Sequence, residues 1–160
     1  MAAPAVMMGR EHRIVSRFSR IISAKLLSLL KSGESALKEC DNVSIDNCYF
    51  NLRYPLWHVN KFQMLNSEMT EKCRAAIWYS NDMIIKNCKL NGIKAVRECS
   101  NIEIIDSSIE SFEFGWKSNK IDLENASIIG EYLFFDSSDI KFNNVNLKGK
   151  YSFQYACLYF

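Results

Sequence analysis

The stretch Val43-Ser44-Ile45-Asp46-Asn47-Cys48-Tyr49-Phe50 decides the fold, because five further copies of its pattern follow it. Each copy has two apolar residues spaced by one residue, then Asn or Asp, a small residue and a further apolar residue. The first apolar residues are Val43, Phe62, Met83, Ile102, Ile121 and Ile140. Their spacing is 19 residues except for one interval of 21, and such a period is typical of a solenoid.

The repeat predicts strands. Apolar and polar residues alternate in each copy, as in Ile102-Glu103-Ile104, and a period of two is that of a half-buried strand. A second apolar and aromatic stretch precedes the copies, as at Ala76-Ile77-Trp78-Tyr79. Leucine-rich repeats share this length but carry a Leu-rich consensus and a helical segment. We therefore predict an all-β fold, a single-stranded right-handed parallel β-helix with 19-residue rungs, about six to seven in number.

A column of Asn and Asp recurs through the copies and is predicted to belong to the scaffold. It consists of Asn47, Asn66, Asn87, Asp106, Asn125 and Asn144. Rungs stack about 4.8 Å apart, so neighbouring side chains can hydrogen-bond along a ladder. One buried Asn would be costly, whereas a stacked column satisfies its own members. We therefore expect a structural ladder of amides and not a catalytic one.

The next column is small throughout, as expected where a chain bends over a packed interior. It holds Cys48, Ser67, Cys88, Ser107, Ala126 and Val145. Cys48 and Cys88 lie two rungs apart, about 10 Å, which is too far for a disulfide. The sequence therefore predicts free, buried thiols in a reducing compartment, and the cytoplasm is the preferred location. It predicts neither a metal site nor a cofactor.

The segment before the repeats has a different pattern. Apolar residues from Ile14 to Leu30 recur at near-helical spacing, and four arginines between residues 10 and 20 recur on another face. We predict an amphipathic helix within residues 1–32, ahead of a β-helix domain at residues 33–160. Two interpretations stay open: a cap over the first rung, or a targeting segment that directs the protein to an organelle. The sequence contains no apolar run of about 18 residues, so it predicts no transmembrane span.

Charge divides at the same boundary. Six Arg and Lys against one Glu give residues 1–32 a net charge of +5, so the remainder carries −3 of the overall +2. The repeats are mildly acidic, which argues against a nucleic-acid-binding domain.

Alternation along the strand ahead of each copy predicts which side chains face outward. The column expected to face inward is Leu37, Leu56, Ile77, Val96, Gly115, Phe134 and Phe153. Its neighbour, one residue later, should face outward: Lys38, Trp57, Trp78, Arg97, Trp116, Phe135 and Gln154. The column after that holds Glu39, His58, Tyr79, Glu98, Lys117, Asp136 and Tyr155. One side of the coil is thus predicted to display aromatic rings beside carboxylates and bases.

Aromatic rings flanked by charged groups suit stacking on sugar rings. The preferred hypothesis is a non-catalytic scaffold that binds an extended ligand, with carbohydrate as the preferred class of ligand. Its predicted ligand-binding residues are Trp57, His58, Trp78, Tyr79, Arg97, Trp116 and Phe135. A purely structural interpretation fits the same columns, because stacked rings and alternating charges stabilise neighbouring rungs without any ligand.

Two alternatives come from other classes of function. One is a polysaccharide lyase or glycoside hydrolase, with Arg97, Glu98, Lys117 and Asp136 as catalytic candidates. Glu98 and Asp136, about 10 Å apart, would form an inverting pair, or Arg97 would act as the base of a lyase. The other is a structural protein that self-associates end to end through an open C-terminal rung.

Five stretches carry a family resemblance. They are Glu34-Ser35-Ala36-Leu37-Lys38-Glu39, Tyr54-Pro55-Leu56-Trp57, Cys73-Arg74-Ala75-Ala76-Ile77-Trp78-Tyr79-Ser80, Glu131-Tyr132-Leu133-Phe134-Phe135 and Gly149-Lys150-Tyr151-Ser152-Phe153. They resemble a largely bacterial family of uncharacterised proteins with a pectate-lyase-like right-handed β-helix. The resemblance implies that fold, and it supplies no catalytic residues because the activity of the family is not established. Members of the family are longer, with further rungs after the stretch that matches Tyr151.

Overall fold

The computed structural model describes the backbone of residues 20–23 and all atoms of residues 35–157. All regular elements in these residues are β-strands. They are β1 (Arg20–Ser23), β2 (Leu37–Asp46), β3 (Tyr49–Phe50), β4 (Leu56–Leu65), β5 (Glu68–Met69), β6 (Ala75–Trp78), β7 (Asn81–Lys86), β8 (Lys89–Gly92), β9 (Lys94–Arg97), β10 (Ser100–Ile105), β11 (Ser108–Ser111), β12 (Glu113–Phe114), β13 (Asn119–Glu124), β14 (Ser127–Gly130), β15 (Tyr132–Leu133), β16 (Ser138–Asn143) and β17 (Asn146–Gly149). The predicted all-β class is confirmed for this part of the chain.

Every strand pair in the described ranges is parallel, so the chain winds as a solenoid. One sheet has the order β1-β2-β4-β7-β10-β13-β16, and a second has the order β17-β14-β11-β8-β5-β3. On the remaining side β6 pairs with β4 and β9, and β12 pairs with β15. Partners lie 19 residues apart, as Ile102 and Ile121 do, except for 21 residues between the rungs of Phe62 and Met83 and 23 residues between β1 and β2, where Ile22 pairs with Ile45. The parallel β-solenoid of about six turns therefore keeps the period of the sequence, including its one longer interval.

The turn between β5 and β6 accommodates the two extra residues of the longer rung. Thr70 Oγ1 donates to Asn51 Oδ1 at 2.7 Å, and Cys73 Sγ donates to the carbonyl oxygen of Phe50 at 3.3 Å. The Cys73 carbonyl lies so close to Gly92 that a Cβ atom there would clash, and Gly92 has a φ of +128°. The packing of this turn thus requires glycine on the next rung.

The interior is a continuous stack of apolar side chains. The first two apolar positions of each copy are buried, as at Ile102 and Ile104, except that Phe142 in the last copy is 40% exposed. The column predicted to face inward is buried from Leu37 to Phe134 and half-buried at Phe153. That prediction is confirmed.

Three columns turn the chain through the left-handed backbone conformation, with φ between +47° and +57°. The first is the Asn and Asp column found in the sequence. The second holds Asn42, Lys61, Asp82, Asn101, Lys120 and Asp139. The third holds Glu39, His58, Tyr79, Glu98, Lys117, Asp136 and Tyr155. Asn and Asp tolerate this conformation better than other residues with a Cβ atom, which explains their use throughout the first column.

The predicted ladder of amides forms, but on the surface. Asn87 Nδ2 donates to Asn66 Oδ1 at 2.7 Å, and Asn144 Nδ2 donates to Asn125 Oδ1 at 2.8 Å. Asn66 donates outside the column, to Asp46 Oδ1 at 2.9 Å. All six residues of the column are exposed. The expectation that the ladder satisfies buried amides is therefore wrong, and the backbone at the corner is the reason for these residues.

Two columns of small residues supply hydrogen-bond acceptors to the backbone beside the corners. In the column predicted from the sequence, the Cys88 N–H donates to Ser107 Oγ at 3.0 Å, and the Ser67 N–H donates to Cys88 Sγ at 3.4 Å. In a second column the Cys99 N–H donates to Ser118 Oγ at 3.1 Å. All six cysteines are free thiols, five of them buried. Ser and Cys are thus exchangeable here because either side chain accepts the N–H and donates to a carbonyl.

The amphipathic helix predicted in the N-terminal segment is not confirmed. Arg20–Ser23 form β1, which pairs in parallel with β2 and places Ile22 opposite Ile45. Isoleucine is β-branched and suits a strand. The rest of the predicted helix lies outside the described residues, and the domain division after residue 32 stays a prediction.

Candidate binding surface

The outward column forms a continuous stack on the side of the coil that carries β6, β9, β12 and β15. The Trp57 and Trp78 rings stack with centroids 6.3 Å apart and planes 20° apart. Arg97 follows between Trp78 and Trp116, with its Cζ 5.8 Å and 5.3 Å from their ring centroids. Trp116 then stacks on Phe135 at 4.7 Å. We call these five residues, Trp57, Trp78, Arg97, Trp116 and Phe135, the aromatic stripe.

The aromatic stripe faces outward, as the alternation of the sequence predicted. Its five members are partly exposed, whereas the column just before it is buried as far as Phe134. Because rings on successive rungs stack on one another, each covers part of its neighbour, and a ligand meets mainly their outer edges. Lys38 extends the stack beyond Trp57, with its Nζ 4.3 Å from the ring centroid.

The corner that follows the aromatic stripe carries large side chains on left-handed backbone. Tyr79, with a φ of +52°, is 36% exposed and stacks on Trp78 at 5.0 Å. His58, with a φ of +54°, has its ring centroid 5.0 Å from that of Tyr79. The seven predicted ligand-binding residues therefore lie on one continuous surface. The backbone gives no reason for a tyrosine at this corner, since left-handed backbone disfavours bulky residues, whereas histidine is one of the types that adopt it more often.

Arg97 is the centre of a network of ion pairs in the middle of the stripe. Its Nε donates to Glu98 Oε1 at 3.1 Å, and its Nη1 donates to Glu113 Oε2 at 3.3 Å. Lys94 Nζ pairs with the same Glu113 oxygen at 3.4 Å. Trp78 Nε1 donates to Glu98 Oε1 at 3.4 Å. The network holds the guanidinium between two tryptophans and balances two cations with two carboxylates.

Glu98 and Tyr79 shift each other's pKa. Partial burial acts to raise the pKa of Glu98, but hydrogen bonds from Arg97, Tyr79 and Trp78 together outweigh burial and lower it. The hydrogen bond to Glu98 raises the pKa of Tyr79. Both shifts favour a charged carboxylate beside a neutral phenol at neutral pH.

A second line of aromatic side chains adjoins the stripe and was missed by the sequence reasoning. Tyr132 and Tyr151 stack at 5.0 Å, and Phe112 lies 5.4 Å from Tyr132. Trp116 Nε1 donates to the Tyr132 carbonyl oxygen at 2.6 Å, which joins this line to the stripe. Glu113, Tyr132 and Tyr151 are spaced by 19 residues, so the same period contained the signal for this column.

The four catalytic candidates are not gathered into one site. Arg97 and Glu98 are in direct contact, but Lys117 and Asp136 lie on the next two rungs of the corner, where both are exposed. Arg97 is held in ion pairs, and the lowered pKa of Glu98 is opposite to the shift that a general acid needs at neutral pH. These contacts do not suit proton transfer by Arg97 or Glu98.

In the described part of the chain, no group of three or more His, Cys, Asp and Glu side chains could hold a metal ion. The same residues include no helix with the length and apolar character needed to cross a membrane.

The fold and this surface define a parallel β-solenoid with one aromatic and charged side. The chain belongs to the family described as Protein of unknown function (DUF3737), whose model matches residues 16–158. The matched range includes β1. No curated protein and no solved structure matches the chain. The family agrees with the resemblance to uncharacterised proteins found in the sequence, and it brings no activity with it.

Proposed function

We propose that the chain is a non-catalytic repeat scaffold that binds an extended ligand along the aromatic stripe, with carbohydrate as the preferred class of ligand. The stripe runs along the solenoid, so a polymer lying over it meets a new side chain at each rung, about every 4.8 Å. Half-exposed rings offer apolar contact to the C–H groups of sugars. The guanidinium and carboxylates between the rings offer hydrogen bonds to hydroxyl groups.

The observation that carries this proposal is the choice of residues at the corner beside the stripe. Left-handed backbone costs a residue with a side chain about 1–2 kcal/mol. The Asn and Asp column reduces that cost on every rung, and only one of the seven residues at this corner is Asp, with no Asn. Tyr79 and His58 instead contribute rings to the surface. Such departures from backbone preference gather at binding and active sites.

Binding to an array of immobilised glycans tests the proposal. Trp78→Ala and Trp116→Ala should both abolish binding, because each removes a ring from the centre of the stripe. Tyr79→Asn should weaken binding about tenfold, while its free energy of unfolding changes by less than about 1 kcal/mol, since relief of backbone strain offsets the lost ring contacts.

Tyr49→Asn is the matched control, because Tyr49 is 59% exposed and lies on β3, away from the stripe. It should bind like the unaltered protein. Intact binding in both Trp variants would sink the proposal, as would equal losses in Tyr79→Asn and Tyr49→Asn.

We do not extend the proposal to catalysis, because the ion pairs of Arg97 and the lowered pKa of Glu98 do not suit a catalytic base or acid. Release of reducing ends or unsaturated products from a polysaccharide, lost in Glu98→Gln, would establish a lyase or hydrolase instead. Self-association through the last described rung is a separate proposal, supported by the 40% exposure of Phe142. A monomeric mass by light scattering at high concentration would contradict it.

Finer points of fold and location belong to the same proposal. A right-handed, pectate-lyase-like coil is supported by the general right-handedness of connections between parallel strands of one sheet. A cytoplasmic location is supported by five cysteines that act as hydrogen-bonding thiols, at Cys40, Cys48, Cys73, Cys88 and Cys99. The organelle alternative depends on residues 1–32, most of which lie outside the described ranges.

A further inference from the structure

We infer that the ligand of the aromatic stripe is a neutral, hydroxyl-rich polymer and not an acidic one. The inference rests on the proposed function and adds the charge of the ligand to it. It is carried by the contacts of Arg97, the one cation within the stripe.

The charge of Arg97 is already matched by carboxylates of the chain. Glu98 and Glu113 pair with it at 3.1 Å and 3.3 Å, and Lys94 shares Glu113 at 3.4 Å. The Arg97 and Glu113 side chains are only 18% and 15% exposed, so solvent weakens these pairs less than it weakens surface pairs. The two cations and two carboxylates leave this part of the surface without net charge.

The geometry around Arg97 leaves little room for an anion. Trp78 and Trp116 flank its guanidinium, with ring centroids 5.8 Å and 5.3 Å from its Cζ, and its Nε and Nη1 donate to Glu98 and Glu113. A carboxylate of the ligand would have to displace one of these glutamates or lie beside both, where like charges repel. A sugar hydroxyl meets no such obstacle, because it can donate to a carboxylate oxygen and accept from a remaining guanidinium N–H.

The neighbouring corner carries more carboxylates than cations. Three of its seven residues are carboxylates, at Glu39, Glu98 and Asp136, and Lys117 is the one lysine. An acidic polymer lying along this edge would meet these carboxylates, and like charges repel. A neutral polymer meets no such repulsion.

The test compares neutral polysaccharides (β-glucan, xylan and mannan) with acidic ones (polygalacturonate, alginate and hyaluronan) in the same binding assay. The unaltered protein should bind a neutral polymer at least tenfold more tightly than any acidic one, on the order of 1.4 kcal/mol. Its affinity should change by less than about twofold between about 50 mM and about 500 mM NaCl, because no ionic contact is formed.

The double variant Glu98→Gln/Glu113→Gln frees the charges of Arg97 and Lys94. It should gain salt-sensitive binding to acidic polymers. Its matched control is Glu103→Gln/Glu110→Gln, which makes the same change in net charge at exposed positions on β10 and β11. The control should bind acidic polymers no more tightly than the unaltered protein does.

Tight, salt-sensitive binding of an acidic polymer by the unaltered protein overturns this inference and leaves the proposed function standing. Equal gains in the two double variants also overturn it, because the effect would then come from net charge alone. Binding to neither class of polymer overturns the proposed function together with the inference. The comparison made on the unaltered protein decides the matter even where the double variant fails to fold.

Discussion

Ser118→Ala tests whether the small columns stabilise the coil through hydrogen bonds to the backbone. Ser118 is 2% exposed, its Oγ accepts the Cys99 N–H at 3.1 Å, and it donates to the Trp116 carbonyl oxygen at 3.0 Å. Alanine leaves the Cys99 N–H buried without an acceptor at that position. Such a group costs about 1–3 kcal/mol, since no solvent reaches it.

Ser118→Cys should restore most of the loss. A thiol already takes this role elsewhere in the columns, where Ser80 N–H donates to Cys99 Sγ at 3.5 Å. We expect Ser118→Cys to lose less than about 1 kcal/mol, and Ser118→Ala to lose about 2 kcal/mol. With a denaturant slope of about 2 kcal/mol per M, the second value lowers the urea midpoint by about 1 M.

The assay is urea unfolding followed by circular dichroism, together with hydrogen exchange of the Cys99 amide. The control is Ser108→Ala, because Ser108 is exposed on β11. Exchange at Cys99 should accelerate in Ser118→Ala and stay slow in the control. Equal midpoints and equal exchange in the two alanine variants would refute the role that we assign to the column.

Three further predictions use the same contacts. Ala126→Ser should stabilise the coil by about 0.5–1.5 kcal/mol in urea unfolding, because it offers the Ser107 N–H an acceptor that the buried alanine lacks. Glu98→Gln should lower the urea midpoint at pH 7, and the difference should shrink as the pH falls below about 4.5, because a carboxylate with a lowered folded pKa stabilises only while it is charged. In a thiol-modification assay of the native protein, Cys157 alone of the six cysteines should react rapidly, since burial raises the pKa of Cys99 to about 12 and the other four are also buried. Loss of more than one thiol before unfolding would contradict the last prediction.

The sequence predicted the register well, because period and alternation are properties of the chain itself. Partners such as Ile102 and Ile121 follow directly from the spacing of 19, and the outward direction of Trp78 follows from the burial of Ile77. The conformation of the corners could not be read in the same way. A repeated Asn fits a buried ladder of amides, and it fits an exposed corner with left-handed backbone equally well. Only the backbone conformation of the folded chain distinguishes these two arrangements.

Two other differences between the sequence predictions and the structure, at β1 and beside the aromatic stripe, have separate causes. The apolar spacing around Ile21 and Ile22 fits a helix as well as a strand, so periodicity alone could not choose between them. Glu113 and Tyr132 share a column whose residue types differ from rung to rung, so no repeated residue type marks that column in the sequence. Contacts between columns, such as the hydrogen bond from Trp116 to Tyr132, depend on the path of the backbone around each rung. The spacing of residues along the sequence does not contain this information.

Two left-handed corners of the coil differ in sequence, and the difference indicates where function lies. The Asn column and the corner beside the aromatic stripe have the same left-handed backbone and therefore make the same demand on sequence. At one corner the residues repeat as that demand requires, and at the other they change from His58 to Tyr79 to Glu98. Because the backbone is the same on every rung of this corner, it does not explain why the residues change. Their identity is set instead by the contacts that they make with the rings of the stripe and with a ligand that lies on it. The period therefore locates the scaffold, and the departures from it locate the surface to test first.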